Sequence, residues 1–120
     1  MFKRTTNEFS FRLRPSSIDG VGVFAVHGIA KGVKLLIKPD GYRSRQLRKK
    51  DVPKAFRGLV VPDEDGVHYR CPNAFNHMWF CWFLNHSATP NAQGDENDNF
   101  NYYTTRPIQA GEEITIDYHR

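Results

Sequence analysis

Apolar and polar residues alternate in several short segments of the chain, which is the pattern of half-buried β-strands. The clearest alternation spans residues 9–14, where Phe9, Phe11 and Leu13 are separated by polar side chains. Four further segments, bounded by glycine, proline and other turn formers, are also predicted as strands: residues 21–26, 33–37, 100–105 and 113–118. Because a glycine lies inside residues 21–26, this segment can be either a strand or a β-bulge.

The segments between these strands differ in character. Residues 59–61 and 67–70 predict a hairpin around the acidic turn at 63–66. Residues 75–84 are apolar on all sides and predict a buried short helix, and residues 94–99 are acidic and predicted to be flexible. Residues 1–8 are polar and predict a flexible tail. The whole pattern predicts a mainly β domain over residues 9–120, with one or two short helices.

Length and composition limit the alternatives. A chain of 120 residues predicts one domain, and a 13% aromatic share favours a folded one. No apolar run is long enough to cross a membrane, and the N-terminus lacks the apolar core of a secretory signal. We therefore expect an intracellular protein, cytoplasmic or nuclear, in which Cys71 and Cys81 are free thiols.

One segment concentrates positive charge. Residues 43–57 hold seven basic side chains and a single acid: Arg43, Arg45, Arg48, Lys49, Lys50, Lys54 and Arg57 against Asp51. A solvated surface is the simplest interpretation. The net charge of +4 also permits a contact with nucleic acid or with an acidic peptide, which stays open but is not favoured.

Three motifs stand in a fixed order along the chain. The first is Gly20-Val21-Gly22-Val23-Phe24, and its glycines allow close backbone approach to a ligand. The second is the polar turn at residues 85–91, which begins Asn85-His86-Ser87 and ends Pro90-Asn91. The third is residues 111–118, which alternate like a strand and end at Asp117-Tyr118.

Together these motifs resemble the SET-domain family of S-adenosyl-L-methionine-dependent protein lysine methyltransferases. The resemblance covers the chain from about residue 9 and implies a fold of small sheets with a C-terminal pseudoknot, with residues 42–77 as a variable insert. It implies that the backbone of Gly20, Val21, Gly22, Val23 and Phe24, and that around His86, hold the cofactor. By the same resemblance the Asn85 side chain holds the polar end of the cofactor, and Tyr118 lines the channel at the transferred methyl group.

The chemistry of methyl transfer suits these residue types. The attacking lysine must be neutral, although its ordinary pKa is about 10.4. Removal from water favours the neutral amine, and aromatic walls also attract a methylammonium cation. Tyr102, Tyr103, Phe83 and Trp79 are the aromatic residues that could line such a channel, and a protein with a target lysine is the expected substrate.

Structural roles compete with each of these assignments. Tyr118 can be a packed strand-end residue, and Asn85 and His86 can cap a turn. The spacing of the cysteine and histidine residues fits no zinc motif, so no metal is expected.

The chain also departs from the family pattern in four places. Ile37-Lys38-Pro39 stands where the family has an acidic-aromatic pair, and Ala88 stands where the family has a cysteine after Asn-His-Ser. Trp82-Phe83-Leu84 replaces a segment in which the family often has an arginine, and only two residues follow Tyr118. Two expectations remain for the lysine channel: either it is open, or a second copy of the chain or another partner completes it. A catalytically weak SET-like module that binds a protein or nucleic acid through residues 43–57 is the alternative function.

Overall fold

Short strands in three small sheets make up most of the computed structural model, which describes residues 4–95 and 98–118. The strands are β1 Phe11–Pro15, β2 Val21–Ala25, β3 Arg45–Arg48, β4 Val61–Pro62, β5 His68–Cys71, β6 Asn85–His86, β7 Ala92–Asp95, β8 Asp98–Thr104 and β9 Glu113–Ile116. Three short 3₁₀ helices join them: Lys49–Asp51, Lys54–Leu59 and Phe80–Phe83. The predicted mainly β fold with few short helices is confirmed.

The largest sheet has the order β1-β2-β9-β6, and we call it the motif sheet because all three sequence motifs contribute to it. β1, β2 and β9 run antiparallel, whereas β6 is parallel to β9. Val23 of β2 lies opposite Ile114 of β9, and both side chains are fully buried. The alternation seen in the sequence therefore places one apolar face of this sheet on the core, and three of the predicted strands are confirmed.

The second sheet, with the order β3-β5-β4, belongs to residues 42–77, which we call the insert. The hairpin predicted around residues 63–66 is confirmed by the pairing of β4 with β5. β3, inside the basic segment, was not predicted because Arg45–Arg48 has one apolar side chain among four. The Tyr42 hydroxyl accepts hydrogen bonds from Asn73 N–H and Trp82 Nε1–H, so it joins the insert to the core.

The prediction of a flexible segment at residues 94–99 is wrong for the residues that the structure describes. β7 and β8 form an antiparallel hairpin there, with a register irregularity between Gly94 and Asp95. Residues 96–97, at its turn, lie outside the described residues. The predicted strand at residues 100–105 is confirmed as part of β8.

Residues 33–37 are extended but form no strand, which corrects the prediction. Lys34 makes isolated bridges to Thr5 on one side and to Tyr103 on the other. Leu35 N–H donates to the Tyr102 carbonyl at 2.9 Å, and Val33 and Ile37 are buried. The apolar pattern of residues 33–37 therefore indicates burial between two other chain segments. It does not indicate a continuous ladder of hydrogen bonds.

The prediction of a flexible tail over residues 1–8 is wrong for residues 4–6. Lys34 N–H donates to the Arg4 carbonyl, and Thr6 N–H donates to the Lys34 carbonyl. The Thr6 side chain is buried, and its hydroxyl oxygen accepts the Leu36 N–H at 2.7 Å. The polar composition of this segment did not reveal those backbone contacts. Residues 1–3 lie outside the described residues.

The prediction of a buried helix over residues 75–84 is also wrong, both in the length of the helix and in its burial. Only Phe80–Phe83 form a 3₁₀ turn, in which Cys81 and Trp82 are buried. Cys81 N–H donates to the Ile37 carbonyl at 3.2 Å, and Trp79 stays partly exposed. Contacts with the core, rather than helical periodicity, explain why this segment is apolar.

The C-terminal strand β9 is inserted between two earlier parts of the chain. It pairs with β2 on one side and with β6 on the other. The loop after β6 also holds it, because Thr115 N–H donates to Asn91 Oδ1 at 2.8 Å. This insertion is the arrangement that the predicted pseudoknot requires. No helix within residues 4–95 and 98–118 has the length and apolar composition needed to span a membrane.

Candidate functional site

Asn85, the first residue of β6, joins the three sequence motifs. Its side-chain Nδ2 lies 3.1 Å from the Asp19 carbonyl, 3.2 Å from the Val21 carbonyl and 2.8 Å from Glu113 Oε2. The side chain is 8% exposed. The amide therefore connects β6 to the start of β2 and to β9, which places the first, second and third motifs at one point.

Glu113 completes this connection from the centre of the motif sheet. Its Oε1 accepts the Ser16 hydroxyl at 2.7 Å, while Oε2 accepts the Asn85 amide. A Cβ atom built on Gly22 would lie 2.2 Å from Glu113 Oε2, so the carboxylate occupies the space that a side chain would need. Gly22 thus leaves room for the Glu113 carboxylate. This role differs from the predicted one, in which the glycine lets a ligand approach the backbone closely.

Asn91 holds β9 from the far end of the second motif. Its Nδ2 donates to the Glu113 carbonyl at 2.7 Å and to Glu112 Oε2 at 3.1 Å, and its side chain is 1% exposed. Partial burial alone would raise the pKa of Glu112. Hydrogen bonds from Gln109 N–H, Asn91 and Arg106 outweigh that effect and lower the pKa.

His86 and Tyr118 lie side by side at the end of the parallel β6–β9 pair. The backbone N–H of Tyr118 donates to His86 Nδ1 at 3.0 Å, and the two rings are 5.3 Å apart. The Tyr118 hydroxyl donates to the Leu84 carbonyl, just before β6. Because 57% of the residue is still exposed, one side of the ring packs against the protein and the other is accessible.

The tyrosine hydroxyls near this point are poor acids. Burial raises the pKa of Tyr118, and the negative charges of Asp19 and Glu113 raise it further. Burial raises the pKa of Tyr102 to about 12, with smaller contributions from Cys81 and Tyr118. Both tyrosines are therefore neutral hydrogen-bonding groups at pH 7, and Tyr102 lies within electrostatic range of Tyr118.

The four aromatic residues predicted to line a channel are not all brought together, and Trp79 is partly exposed. Tyr102 and Phe83 pack against the same buried cluster, as does Ile116 of β9. The ring of Tyr102 lies over Gly94, where a Cβ would meet it at 3.4 Å. Tyr103 follows Tyr102 in β8, and successive strand side chains point to opposite faces. Tyr103 therefore faces away from the Tyr102 side.

The residues of the first motif have different environments. Gly20 has φ +44° and open space where a Cβ would lie, and its carbonyl accepts Ser16 N–H at 2.9 Å. Val21 is exposed, Val23 is buried in the core, and Phe24 is half-buried with the Arg14 guanidinium 5.8 Å from its ring centre. Val23, at 0% exposure, therefore presents neither its side chain nor its backbone to a ligand.

Metal-binding side chains do not cluster in the part of the chain that the structure describes, where no group of three His, Cys, Asp or Glu residues could hold an ion. Cys71 and Cys81 are free thiols, as predicted. Burial raises the pKa of both, that of Cys81 to about 12. Neither thiol is therefore activated as a nucleophile.

The sequence did not reveal Ser16, Glu113 and Asn91 as positioning residues. The two adjacent glutamates have separate sets of partners, Ser16 and Asn85 for Glu113 and Asn91, Arg106 and Gln109 for Glu112. Nothing in the sequence pairs Ser16 with Glu113, which lies 97 residues further on. The adjacent Pro90-Asn91 in the second motif was the available signal for the clamp on β9.

Comparison with known proteins assigns this arrangement to a family. The SET-domain family model matches residues 20–119, so the chain belongs to the SET-domain family. No curated protein matches the chain in a sequence search.

Solved structures share the fold. A candidate histone methyltransferase from Plasmodium falciparum is 23% identical, with a TM-score of 0.58, and the alignment covers 93% of this chain and 95% of that one. The methyltransferase domain of human PR domain-containing protein 2 is 22% identical, with a TM-score of 0.59 and coverage of 92% and 77%. At these identities the likeness establishes the fold.

Proposed function

We propose that this protein transfers a methyl group from S-adenosyl-L-methionine to a lysine side chain of another protein. The observation that carries the proposal is the convergence at Asn85, which places the Gly20–Phe24 segment, His86 and Tyr118 around one part of the motif sheet. Membership of the SET-domain family supports the same activity.

The groups around Asn85 fit the cofactor's polar end. Two backbone carbonyls, of Asp19 and Val21, and the Glu113 carboxylate are all acceptors close to the Asn85 amide. Each of these oxygens has a further lone pair beside the one that the Asn85 amide uses, so acceptors of this kind suit an ammonium group, which carries three donors. β6 is also an edge strand of the motif sheet, so the backbone groups on its outer edge can hydrogen-bond to the flat polar ring of the cofactor.

Tyr118 is the residue that we assign to the transfer itself. Its hydroxyl hydrogen is directed to the Leu84 carbonyl, so the oxygen lone pairs remain available on the other side. Those lone pairs can accept weak hydrogen bonds from polarised methyl C–H groups, each worth about 0.5–1 kcal/mol. The raised pKa keeps the hydroxyl neutral, so the site gains no phenolate that would favour a charged lysine.

The lysine nucleophile must reach this site as a neutral amine. Tyr102 and Phe83 pack against the same buried cluster and are the aromatic side chains that we propose for the surroundings of that amine, where burial would remove water and disfavour the ammonium form. The cofactor supplies an electrophilic methyl group: the amine nitrogen bonds to that carbon while the carbon–sulfur bond breaks, and the extra proton leaves to solvent. Alignment of the two groups contributes up to about 7–11 kcal/mol in favourable cases.

Basic proteins, such as histones, are the substrates that we propose. A direct test incubates the protein with isotope-labelled cofactor and a panel of basic proteins. Transfer is expected for the parent protein and a marked loss for Tyr118→Phe, with cofactor affinity nearly unchanged. Tyr69→Phe, in the insert, is the matched control and should keep full transfer.

Two outcomes would overturn the proposal. One is the absence of label transfer together with the absence of cofactor binding in calorimetry. The other is equal transfer by the parent and Tyr118→Phe proteins. Sedimentation of the active sample adds the oligomeric state, and activity at concentrations where only monomer is present would remove the proposal that a second copy completes the lysine channel.

A further inference from the structure

The net positive charge of this protein comes from the insert. Residues 42–77 contain eight Lys and Arg and four Asp and Glu, a formal charge of +4, which equals the charge of the whole chain. The rest of the chain is formally neutral. A charge excess that is placed in one small sheet, away from the motif sheet, indicates a binding surface of its own.

Two of the four acidic residues of the insert, Asp63 and Asp65, are engaged within it. Asp63 Oδ2 accepts the Gln46 amide, and its Oδ1 lies 3.8 Å from the Arg70 guanidinium. Asp65 accepts the N–H groups of Val67 and His68 and contacts His68 Nδ1 at 2.6 Å. These contacts commit both carboxylates to partners within the insert, which makes the acidic turn a poor docking site for a basic partner.

The basic side chains surround an open depression of about 500 Å³ at one end of the insert sheet. It is lined by Arg48, Lys49 and Lys50 from one segment and by Gly66, Val67 and His68 from the facing turn. A backbone hydrogen bond of 3.0 Å, from Lys49 N–H to the Val67 carbonyl, fixes the two sides relative to each other. Three consecutive cations are thus held along one open surface.

Aromatic rings contact one of these three cations, Lys49, and also Arg45, a further basic residue of the insert. The Lys49 ammonium lies 5.5 Å from the centre of the Tyr69 ring, and the Arg45 guanidinium lies 5.8 Å from that of Phe75. Phe75 in turn packs on Phe56, with ring centres 4.9 Å apart, and Phe56 is partly exposed. Such contacts restrict the long basic side chains before binding, which lowers the entropy cost of ordering them.

We propose that the insert binds nucleic acid through phosphate contacts from Arg48, Lys49 and Lys50. Nucleic acids carry the densest regular negative charge among biological polymers, about one charge per 1.7 Å of duplex, so adjacent cations can each find a phosphate. Exposed aromatic and apolar groups beside the cations suit base faces, which an acidic peptide lacks. The contacts are to the backbone, so the binding is independent of sequence.

Fluorescence anisotropy with labelled DNA tests this surface. The probes are a mixed-sequence duplex and one of its single strands, titrated at several salt concentrations against the parent protein and the double variant Arg48→Gln/Lys50→Gln. The parent should bind at low salt, and the variant at least tenfold more weakly. The plot of log affinity against log salt should also become shallower by about 1.8 for the duplex and about 1.4 for the single strand.

Arg12→Gln/Lys31→Gln is the matched control, because it removes the same charge from exposed positions outside the insert. It should bind DNA within twofold of the parent. Equal loss in both double variants would contradict a localised site, and so would binding by the parent that Arg48→Gln/Lys50→Gln leaves unchanged. Failure of the parent to bind either probe would also overturn the proposal. So would tighter binding of a labelled polyglutamate peptide, which would assign the surface to acidic proteins.

Discussion

The motif sheet and the insert sheet are held together in different ways. In the motif sheet, side chains far apart in sequence share hydrogen bonds: Asn85 and Glu113 are 28 residues apart, and Ser16 and Glu113 are 97 apart. The insert also has side-chain hydrogen bonds between distant residues, such as Gln46 with Asp63, but this bond and those of Asp65 lie at exposed positions. The first sheet therefore needs particular residues at many positions, whereas the surface of the second can change without disturbing the rest.

The largest expected effect comes from cutting the clamp on β9 in the motif sheet. Asn91→Ala leaves two buried backbone groups, Thr115 N–H and the Glu113 carbonyl, without this partner. We expect a loss of about 2–4 kcal/mol in the free energy of unfolding, measured by urea denaturation. Asn76→Ala, at an exposed position of the insert, should change it by less than about 0.5 kcal/mol. Similar losses in both variants would remove the contrast between the sheets.

Gly22→Ala tests the space that Glu113 occupies. The added methyl group would lie 2.2 Å from Glu113 Oε2, so the carboxylate must move and release Ser16 or Asn85. We expect a cost of about 1–3 kcal/mol in urea denaturation. Gly28→Ala, where the nearest atom is 3.7 Å from the built Cβ, is the matched control.

A double variant separates that clash from other causes. If the steric account holds, adding Gly22→Ala to a Glu113→Ala background should cost much less than adding it to the parent protein. An equal cost in both backgrounds would show that the glycine is needed for another reason.

Tyr42→Phe tests the connection between the two regions. It removes the oxygen that accepts hydrogen bonds from Asn73 N–H and Trp82 Nε1. We expect a loss of about 0.5–1.5 kcal/mol and faster hydrogen exchange at Asn73, with no change at β9. Faster exchange in β9 as well would mean that the two sheets unfold as one unit.

The smallest effect concerns the acid sensitivity of the insert. Hydrogen bonds from Val67 N–H, the His68 side chain and His68 N–H lower the pKa of Asp65 from 3.8 to about 2. Because the folded pKa is depressed, this carboxylate's contribution to stability is present above pH 3.8 and disappears as the pH falls through about 2.

Carbon-detected NMR titration of the Asp65 carboxyl group checks this value. Comparison of the parent with Asp65→Asn over the same pH range should show a difference that vanishes at the acid end. A titration midpoint near 3.8 would mean that the turn is not ordered as described.

Sequence patterns predicted the motif sheet better than the rest of the fold. Alternation identified β1, β2 and β9, in which Phe11, Val23 and Ile114 are buried, although Leu13 of β1 is exposed. It failed at residues 33–37 and 75–84, where apolar side chains follow contacts with distant segments rather than a local period. Residues 94–99 were judged by their acidic composition, which says nothing of the pairing of β7 with β8.

The candidate site was predictable only in part, for a similar reason. The motifs identified Asn85, His86 and Tyr118, which the structure brings together. The network through Ser16, Glu113 and Gly22 needs three-dimensional information, because its members are neighbours in space alone. Tyr102 and Tyr103 were chosen for their aromatic character, and only strand geometry shows that they face opposite ways.

NMR titration of the isotope-labelled protein with S-adenosyl-L-methionine tests the central claim most directly, because it locates the cofactor site residue by residue. The account predicts saturable shifts at the backbone amides of Gly20, Val21, His86 and Tyr118, with those of residues 43–57 unchanged. Shifts confined to residues 43–57, or no shift at any concentration, would contradict it.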